Sequence, residues 1–410
     1  MTDTPAYPIE DPATQTASSD WGAVLSMSLC VALLIASEFM PVSLLTPMAA
    51  GLDATVGQTG QAISISGLFA IVASLLVTTV AGRLNRKGVL VGMTALMLVS
   101  LAMVAAAPNF SVLMIGRALL GVCIGGFWAL ATPVIMRLVP ASDVPKALAI
   151  MYGGQAIAAA FAAPIGSYVG GLLGWREVFW ALTPLVAINL VWHLVALPSL
   201  PARGRQDVRS MLALLRRPYF ALGLAASMLS WGSAFTMFTY LRPFLERVTG
   251  ADVTLLSLLL LALGVAGFVG TWAAGRFIKD DIASLLKLPA LIMGAATLGL
   301  LLFGGSWIVV GALLIVWGVM NTAMSVIWMT WMSRNAADAP EAAGALMVAA
   351  VQASILLGAV VGGWLLDGIS IHATFIGSVA LALLALVLIR DGTRLLNPAH
   401  SNQRETHDDL

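Results

Sequence analysis

The sequence predicts an all-α membrane protein: twelve transmembrane helices arranged as two pseudo-symmetric six-helix bundles. Three observations carry that prediction. Of 410 residues, 60% are hydrophobic and only 10% charged, with a mean hydropathy of +0.95, whereas soluble domains carry about 25% charge. Apolar runs of about 20 residues, enough for a helix to cross a hydrocarbon core roughly 30 Å thick, recur twelve times. A basic, proline-flanked stretch interrupts the chain at its middle, with six runs on either side.

The runs cover about residues 22–46, 58–81, 88–106, 111–136, 147–171 and 177–197 in the first half. In the second half they cover about 219–241, 253–275, 285–303, 307–331, 341–366 and 373–390. Barrel strands would instead alternate apolar and polar residues in segments of about ten. The expected units are a tail at 1–21, a bundle at 22–197, a linker at 198–218, a bundle at 219–390 and a tail at 391–410. The linker opens with Pro198, Ser199 and Pro201 and continues through Arg203, Arg205, Arg209, Arg216 and Arg217. The last tail, with His400 and His407, is polar and is expected to be disordered.

Basic residues orient the spans. Of the 21 Lys and Arg, 17 fall in the loops after even-numbered spans or in the C-terminal tail, and three in the loops after odd-numbered spans. By the positive-inside rule both termini and the even loops are expected in the cytoplasm, in a cell inner membrane. No basic residue precedes Arg83, so the first span lacks the positive flank of a cleaved secretory signal and reads as a permanent helix. A net charge of +1 offers no basic surface for nucleic acid. The two cysteines, Cys30 and Cys123, lie within apolar runs.

An internal echo supports two related halves. Gly166, Gly170 and Gly171 in span 5 recur 192 residues later as Gly358, Gly362 and Gly363 in span 11, and Gly126 recurs as Gly318. Small residues let helices approach closely, and six-helix repeats related by an axis along the membrane normal are a transporter pattern.

Charge inside the membrane then picks out candidate functional groups. Glu38 is the one acid well inside a span and Arg117 the one base. Each costs about 2.5–3.5 kcal/mol at a helix centre. Glu38 lies about 12 Å, and Arg117 about 9 Å, from the outer ends of their spans at 1.5 Å per residue, so a mutual contact is allowed. Burial penalises an ionised carboxyl and a nearby cation favours it; that competition suits Glu38 to carry a proton, with Arg117 an electrostatic partner. Pro41, one turn beyond Glu38, frees backbone groups and kinks the helix, and Pro47 fits the end of the span.

Further polar and aromatic side chains fall near mid-depth. Trp231 and Trp317 lie about 18 and 15 Å from opposite faces, with Phe235 and Tyr240 beyond Trp231 in span 7 and Asn321 one turn from Trp317. Gln155 in span 5 and Gln352 in span 11 join them. Apolar and aromatic side chains with a few directed polar groups are the make-up of a small-molecule pocket. No second acid joins Glu38 within the spans, and His193 is the one histidine inside a run, so two-carboxylate or zinc chemistry is not expected. Nor is there a Gly-x4-Gly-Lys-[Ser/Thr] segment to indicate direct ATP drive.

The residues also resemble a known family. Glu38-Phe39-Met40-Pro41-Val42-Ser43-Leu44-Leu45-Thr46-Pro47 and Gly116-Arg117-Ala118-Leu119-Leu120-Gly121 are its most specific pieces. Ala163-Pro164-Ile165-Gly166-Ser167, Gly174-Trp175-Arg176 and Phe238-Thr239-Tyr240-Leu241-Arg242-Pro243 add to them. On these the chain resembles the major facilitator superfamily over residues 21–390. Within it the likeness is to twelve-span bacterial drug/proton antiporters, above all purine ribonucleoside efflux pumps and their sugar-efflux relatives. The resemblance implies a transporter rather than an enzyme, exporting purine nucleosides or close analogues against protons by alternating access. It implies no cofactor beyond the proton motive force, and a monomer in the lipid bilayer. Sugars or amphipathic drugs are the alternative substrates. It also implies proton coupling at Glu38 and Arg117, substrate contacts from the mid-depth set, and hinges at Pro41, Gly121, Pro164 and Gly166. The chain departs from the family at Gly82-Arg83-Leu84-Asn85-Arg86-Lys87-Gly88, where Asn85 replaces an acid that helps latch the cytoplasmic gate.

Overall fold

A computed structural model describes residues 20–80, 84–201, 208–277 and 282–398. The predicted positions Gly82, Arg83, Arg203, Arg205, His400 and His407, and the tail at 1–19, lie outside them. Twelve helices among the described residues are long and apolar enough to cross a membrane. In the first half these are α1 (Trp21–Gly51), α2 (Val56–Val80), α3 (Arg86–Ala105), α4 (Phe110–Leu138), α5 (Val144–Leu173) and α6 (Trp175–Ala196). A short α7 (Val208–Leu215) precedes the second half. There α8 (Pro218–Phe238) with α9 (Leu241–Arg247) makes span 7, α10 (Val253–Phe277) span 8, and α11 (Ile282–Leu285) with α12 (Leu288–Phe303) span 9. Then α13 (Trp307–Asn335), α14 (Pro340–Gly368) and α15 (Ile371–Ile389) complete the fold. The side of the bundle where α1 begins is the near side, and the side where it ends is the far side.

Local chemistry sets the helix ends. Asn109 and Ser370 cap α4 and α15 by accepting from Val112 N and Ala373 N, satisfying donors that a helix start leaves free. Pro218 and Pro340 stand in the first turns of α8 and α14, where a missing N–H costs nothing. The turn between α5 and α6 is a single residue, Gly174 at φ 105°, a conformation open to glycine.

Each half has its own hydrophobic core. One gathers residues from Ala23 to Leu200. The other gathers residues from Met211 to Leu395 and is joined by Val42, Leu45, Ile63 and Ala163 of the first half. These four belong to the interface, where α2 packs on α14 and α5 on α10. The glycine echo of spans 5 and 11 has a spatial counterpart. A Cβ on Gly166 or Gly170 would meet α1 side chains, and one on Gly171 would meet Val253 of the other half. A Cβ on Gly358 or Gly362 would meet α8 and the Tyr240 ring beyond it, and one on Gly363 would meet Gly57 of the other half. The second echo does not behave alike: Gly126 faces Met93 of α3, whereas Gly318 faces the Leu263 carbonyl of α10. It is Gly121 and Gly125 that admit α2 carbonyls, those of Ser66 and Ala70.

Two predicted boundaries need correction. Pro47 does not end span 1; α1 runs through both Pro41 and Pro47 to Gly51, and span 7 continues past 241 through α9 to Arg247.

Candidate functional site

The site grows from the two prolines of α1. A proline inside a helix cannot donate to the carbonyl four residues earlier, so Pro41 frees the carbonyl of Ser37 and Pro47 that of Ser43. Both freed carbonyls are met by arginines. Arg117 of α4, fully buried, donates from Nη1 to Ser37 O at 2.7 Å and from Nη2 to Glu38 O at 3.0 Å. Its remaining donors reach Ala62 O at 2.8 Å and Ser66 Oγ at 3.0 Å in α2. The cation therefore holds the backbone of the α1 kink rather than the Glu38 carboxylate. All four of these bonds lie within the first half, and the direct side-chain contact that the two depths allow is not among them.

Glu38 looks the other way. Its side chain is buried, and Oε1 accepts from Gln352 Nε2 of α14 at 3.3 Å. The one intramembrane acid thus touches the second half. The next residue, Phe39, enters a cavity between the halves lined from α1, α5, α8, α10 and α13. This cavity has a volume of about 120 Å³, smaller than the roughly 300–1,000 Å³ typical of small-molecule sites.

Aromatic rings dominate one part of its lining. Phe39 stacks on Phe235 with centroids 5.8 Å apart and planes 13° from parallel, and Phe238 stacks on Trp317 at 5.7 Å and 9°. Edge contacts from Phe238 to both Phe39 and Phe235 join the two stacks. From α5 come five alanines, Ala156, Ala158, Ala159, Ala162 and Ala163, which leave room beside the rings. The polar lining is Thr271, Asn321 and Thr322. Both threonine hydroxyls donate to backbone carbonyls. Asn321 makes no hydrogen bond to another described residue, so its amide keeps both donors and its acceptor for a ligand.

Of the residues singled out from sequence, Phe235, Trp317 and Asn321 line this cavity. Trp231 stands behind it, stacked on Phe235 at 6.0 Å. Gln155 is half-buried in α5 and absent from the lining, and Gln352 faces Glu38. Tyr240 gives its hydroxyl proton to Ala359 O at 2.6 Å. Its ring also occupies the space beside Gly60 and Gly362, which makes it a wedge between α2 and α14. Pro164 and Gly166 lie buried in α5, Gly166 against Met40 and Ser43 of α1. Gly121 lies against the Ser66 carbonyl of α2. Sequence reasoning passed over Phe39 and Phe238; adjacency to Glu38 would have flagged the first, and one-turn spacing from Phe235 the second.

Polar clips close the far side. Arg242 of α9 donates from Nη1 to the freed Ser43 carbonyl. Its Nε pairs with Glu246 Oε1 at 2.7 Å, and Glu246 Oε2 accepts from Thr46 Oγ1 at 2.6 Å. A second acid, Asp367 at the end of α14, accepts from Thr55 Oγ1 and from Gly57 N at 3.0 Å, where the start of α2 favours negative charge. On the near side the contacts described stay within one half. Asn85 caps α3 through Lys87 N, accepts from Leu200 N and donates to Ser199 Oγ. Arg217 grips Asp338 at 2.9 and 2.5 Å.

A two-bundle fold with a clipped far side and a cavity between the bundles is the architecture of a carrier, and comparison with known proteins agrees. The model of the Major Facilitator Superfamily matches residues 27–349. The chain belongs to that superfamily. It is a twelve-span membrane transporter rather than an enzyme. It is 46% identical over 375 residues to the transcription regulatory protein OpdE of Pseudomonas aeruginosa, covering 90% of this chain and 93% of that one. It is 37% identical over 383 residues to the purine ribonucleoside efflux pump NepI of Salmonella paratyphi C, covering 93% and 96%. Two solved structures share the fold, each at a TM-score of 0.74 over 91% of this chain. One is a bacterial homologue of the human lysosomal transporter Spinster in an inward-facing, occupied conformation (14% identity, 96% of that chain), and the other a D-xylose–proton symporter (15%, 98%).

Proposed function

We propose that this transporter exports neutral purine ribonucleosides or close analogues in exchange for protons, by alternating access across a cell inner membrane with both termini in the cytoplasm. The observation that carries the proposal is the adjacency of Glu38 and Phe39. One buried carboxyl reaches across the halves while its neighbour forms part of an aromatic-walled cavity. Protonation of that carboxyl and occupation of the cavity therefore act on the same turn of α1.

The chemistry of the cavity suits the substrate. A purine presents a flat face to the rings of Phe39, Phe235, Phe238 and Trp317, stacking being worth about 0.5–1.5 kcal/mol per ring pair beyond burial. Its edge presents donors and acceptors to Asn321. The cavity lining carries no acid, which favours a neutral solute over a cation. With the termini in the cytoplasm, the far-side clips make this an inward-facing arrangement. Each proton entering along the membrane potential supplies about 2.3 kcal/mol per 100 mV, enough to drive uphill efflux of an uncharged molecule.

The test is solute accumulation in proteoliposomes under an imposed pH gradient, comparing inosine, guanosine, arabinose and a lipophilic cation. Inosine and guanosine accumulate in wild type, and Glu38→Gln, folded and inserted normally, loses gradient-driven flux. Equal inosine flux in the two proteins overturns the proton role. Transport of arabinose or the cation with no nucleoside movement overturns the substrate.

A further inference from the structure

Gln352 is a buried amide satisfied at one end only. It is 6% exposed and donates from Nε2 to Glu38 Oε1, yet its own Oε1 is buried without a partner. A polar atom stranded in this way is unfavourable unless another state of the protein satisfies it. Glu38 offers that state: a protonated carboxyl carries an O–H that can donate to the amide oxygen once the amide turns. Gln352 is thus matched to both forms of the acid, with the charge-assisted bond to the ionised form the stronger of the two.

The surroundings leave this contact as the variable one. Arg117 is the charged group bonded beside the carboxyl, and all its partners belong to the first half. Its field therefore accompanies Glu38 whichever side is open. On the helices packed against α1 and α14, Tyr168, Arg176, Glu177, Tyr240, Arg242, Glu246, Arg247, Asp367 and His372 stand toward the far side, and Arg86, Lys87, Arg137, Lys146, Tyr152, His193, Tyr219 and Arg334 toward the near side; Cys30 and Cys123 are buried thiols of the first half, and α2 carries no titratable residue. Gln352 lies on α14, which moves with the other half.

We infer that Gln352 couples the protonation of Glu38 to the position of the second half, its amide steadying the ionised carboxylate while the halves are clipped on the far side and leaving it when α14 swings away. The inference rests on the reading of Glu38 as the proton carrier. In the far-closed state the amide donates and the proton passes from the carboxyl to water on the near side. When the far side opens, the donor departs with α14 and the carboxylate takes a proton from a far-side hydronium ion, one O–H bond breaking as the carboxyl O–H forms and water being left. Gln352 is a positioning residue in this scheme, acting on the proton through Glu38.

The experiment is infrared difference spectroscopy of the purified full-length protein in nanodiscs, following the carbonyl band of protonated Glu38 across roughly pH 5–9, around the range that perturbed carboxyls reach. The band is assigned by its loss in Glu38→Gln. Gln352→Met keeps the side-chain length and removes both amide groups. In it the band persists to higher pH, its midpoint moving up by about one pH unit, a tenfold change in proton affinity. Gln352→Asn, which withdraws the amide by one methylene, gives a smaller shift in the same direction and serves if the Met variant does not fold. A band that titrates in wild type but has the same midpoint in the folded variants overturns this inference and leaves the proton role of Glu38 intact. Absence of any titrating Glu38 band in wild type overturns the proton role itself.

Discussion

Arg242 gives the sharpest test of how the far side is held. Its guanidinium answers a carbonyl that Pro47 releases and pairs with a carboxylate that grips Thr46, so one side chain ties α9 to α1 in two ways. Arg242→Leu leaves the Ser43 carbonyl without a donor and Glu246 without its cation. A hydrogen bond to a charged group is worth about 1.5–3 kcal/mol. The Glu246 share is discounted because that side chain is 25% exposed. If the bond exists only in the far-closed state, its loss raises the far-open population about ten- to 150-fold, at 1.4 kcal/mol per factor of ten. The proline supplies the control. Pro47→Ala returns an N–H that can bond Ser43 O within the helix, so in that background Arg242→Leu costs less, by about 1 kcal/mol of coupling. Distances between spin labels at the exposed positions Asp53 and Arg247, measured in nanodiscs, report the opening; Cys30 and Cys123 are buried and do not compete for label. An unchanged distance distribution in Arg242→Leu, or an effect equal in the two backgrounds, refutes the account.

Two other outcomes concern different parts of the molecule. Asn321→Ala removes the amide left free in the cavity and weakens inosine binding by about 0.5–1.5 kcal/mol, about two- to twelvefold in Kd; an unchanged constant by calorimetry excludes Asn321 from the site. At the near side, the Arg217 guanidinium holds the Asp338 carboxyl below its ordinary value. Its contribution is therefore complete above the unfolded carboxyl value near 3.9 and disappears as pH falls through the lower folded value. Because Asp338 is 58% exposed, Asp338→Asn lowers stability by less than about 1 kcal/mol at neutral pH. In thermal unfolding in detergent the two proteins converge in acid, and a gap that widens there contradicts the assignment.

The spans were legible because hydrocarbon thickness imposes a length on every apolar run, and Glu38 and Arg117 were legible because charge at that depth is too costly to be incidental. What the residue pattern concealed is rotation about the helix axes. Depth places Trp231, Phe235 and Trp317 near one another, yet Trp231 lies behind Phe235, while Tyr240, about 13 Å beyond Trp231, bonds Ala359 instead of lining the cavity. Depth alone cannot distinguish the two faces. Pairing was concealed for a different reason. Opposite charges at similar depth allowed a direct or water-mediated contact, but Pro41 leaves a carbonyl that takes a donor of Arg117, since a buried carbonyl without a donor is itself unfavourable. The end of α1 was misplaced on the same ground: Pro47 stops a helix when its orphan carbonyl is unmet, and here Arg242 meets it. The break between α8 and α9 was legible only as an end: hydropathy closed span 7 at 241 because α9 carries Arg242, Glu246 and Arg247.

The two prolines also explain why the coupling acid and the far-side clip share a helix. Each frees one carbonyl and each carbonyl has recruited an arginine, but the arginines differ in allegiance. Arg117 comes from the same half as α1, so its bonds to Ser37 and Glu38 backbone survive any rigid rocking of one bundle against the other. Arg242 comes from the opposite half, so its bond to Ser43 must break whenever the far side opens. Six residues, about 9 Å of helix, separate a permanent joint from a breakable one, and Glu38, Phe39 and the Gln352 contact lie beside the permanent one. A helix segment pinned at one end and released at the other turns about the pinned end. Opening the far side therefore moves Thr46 and Ser43 most and Glu38 least, so the acid holds its place in the first half while the amide opposite it departs.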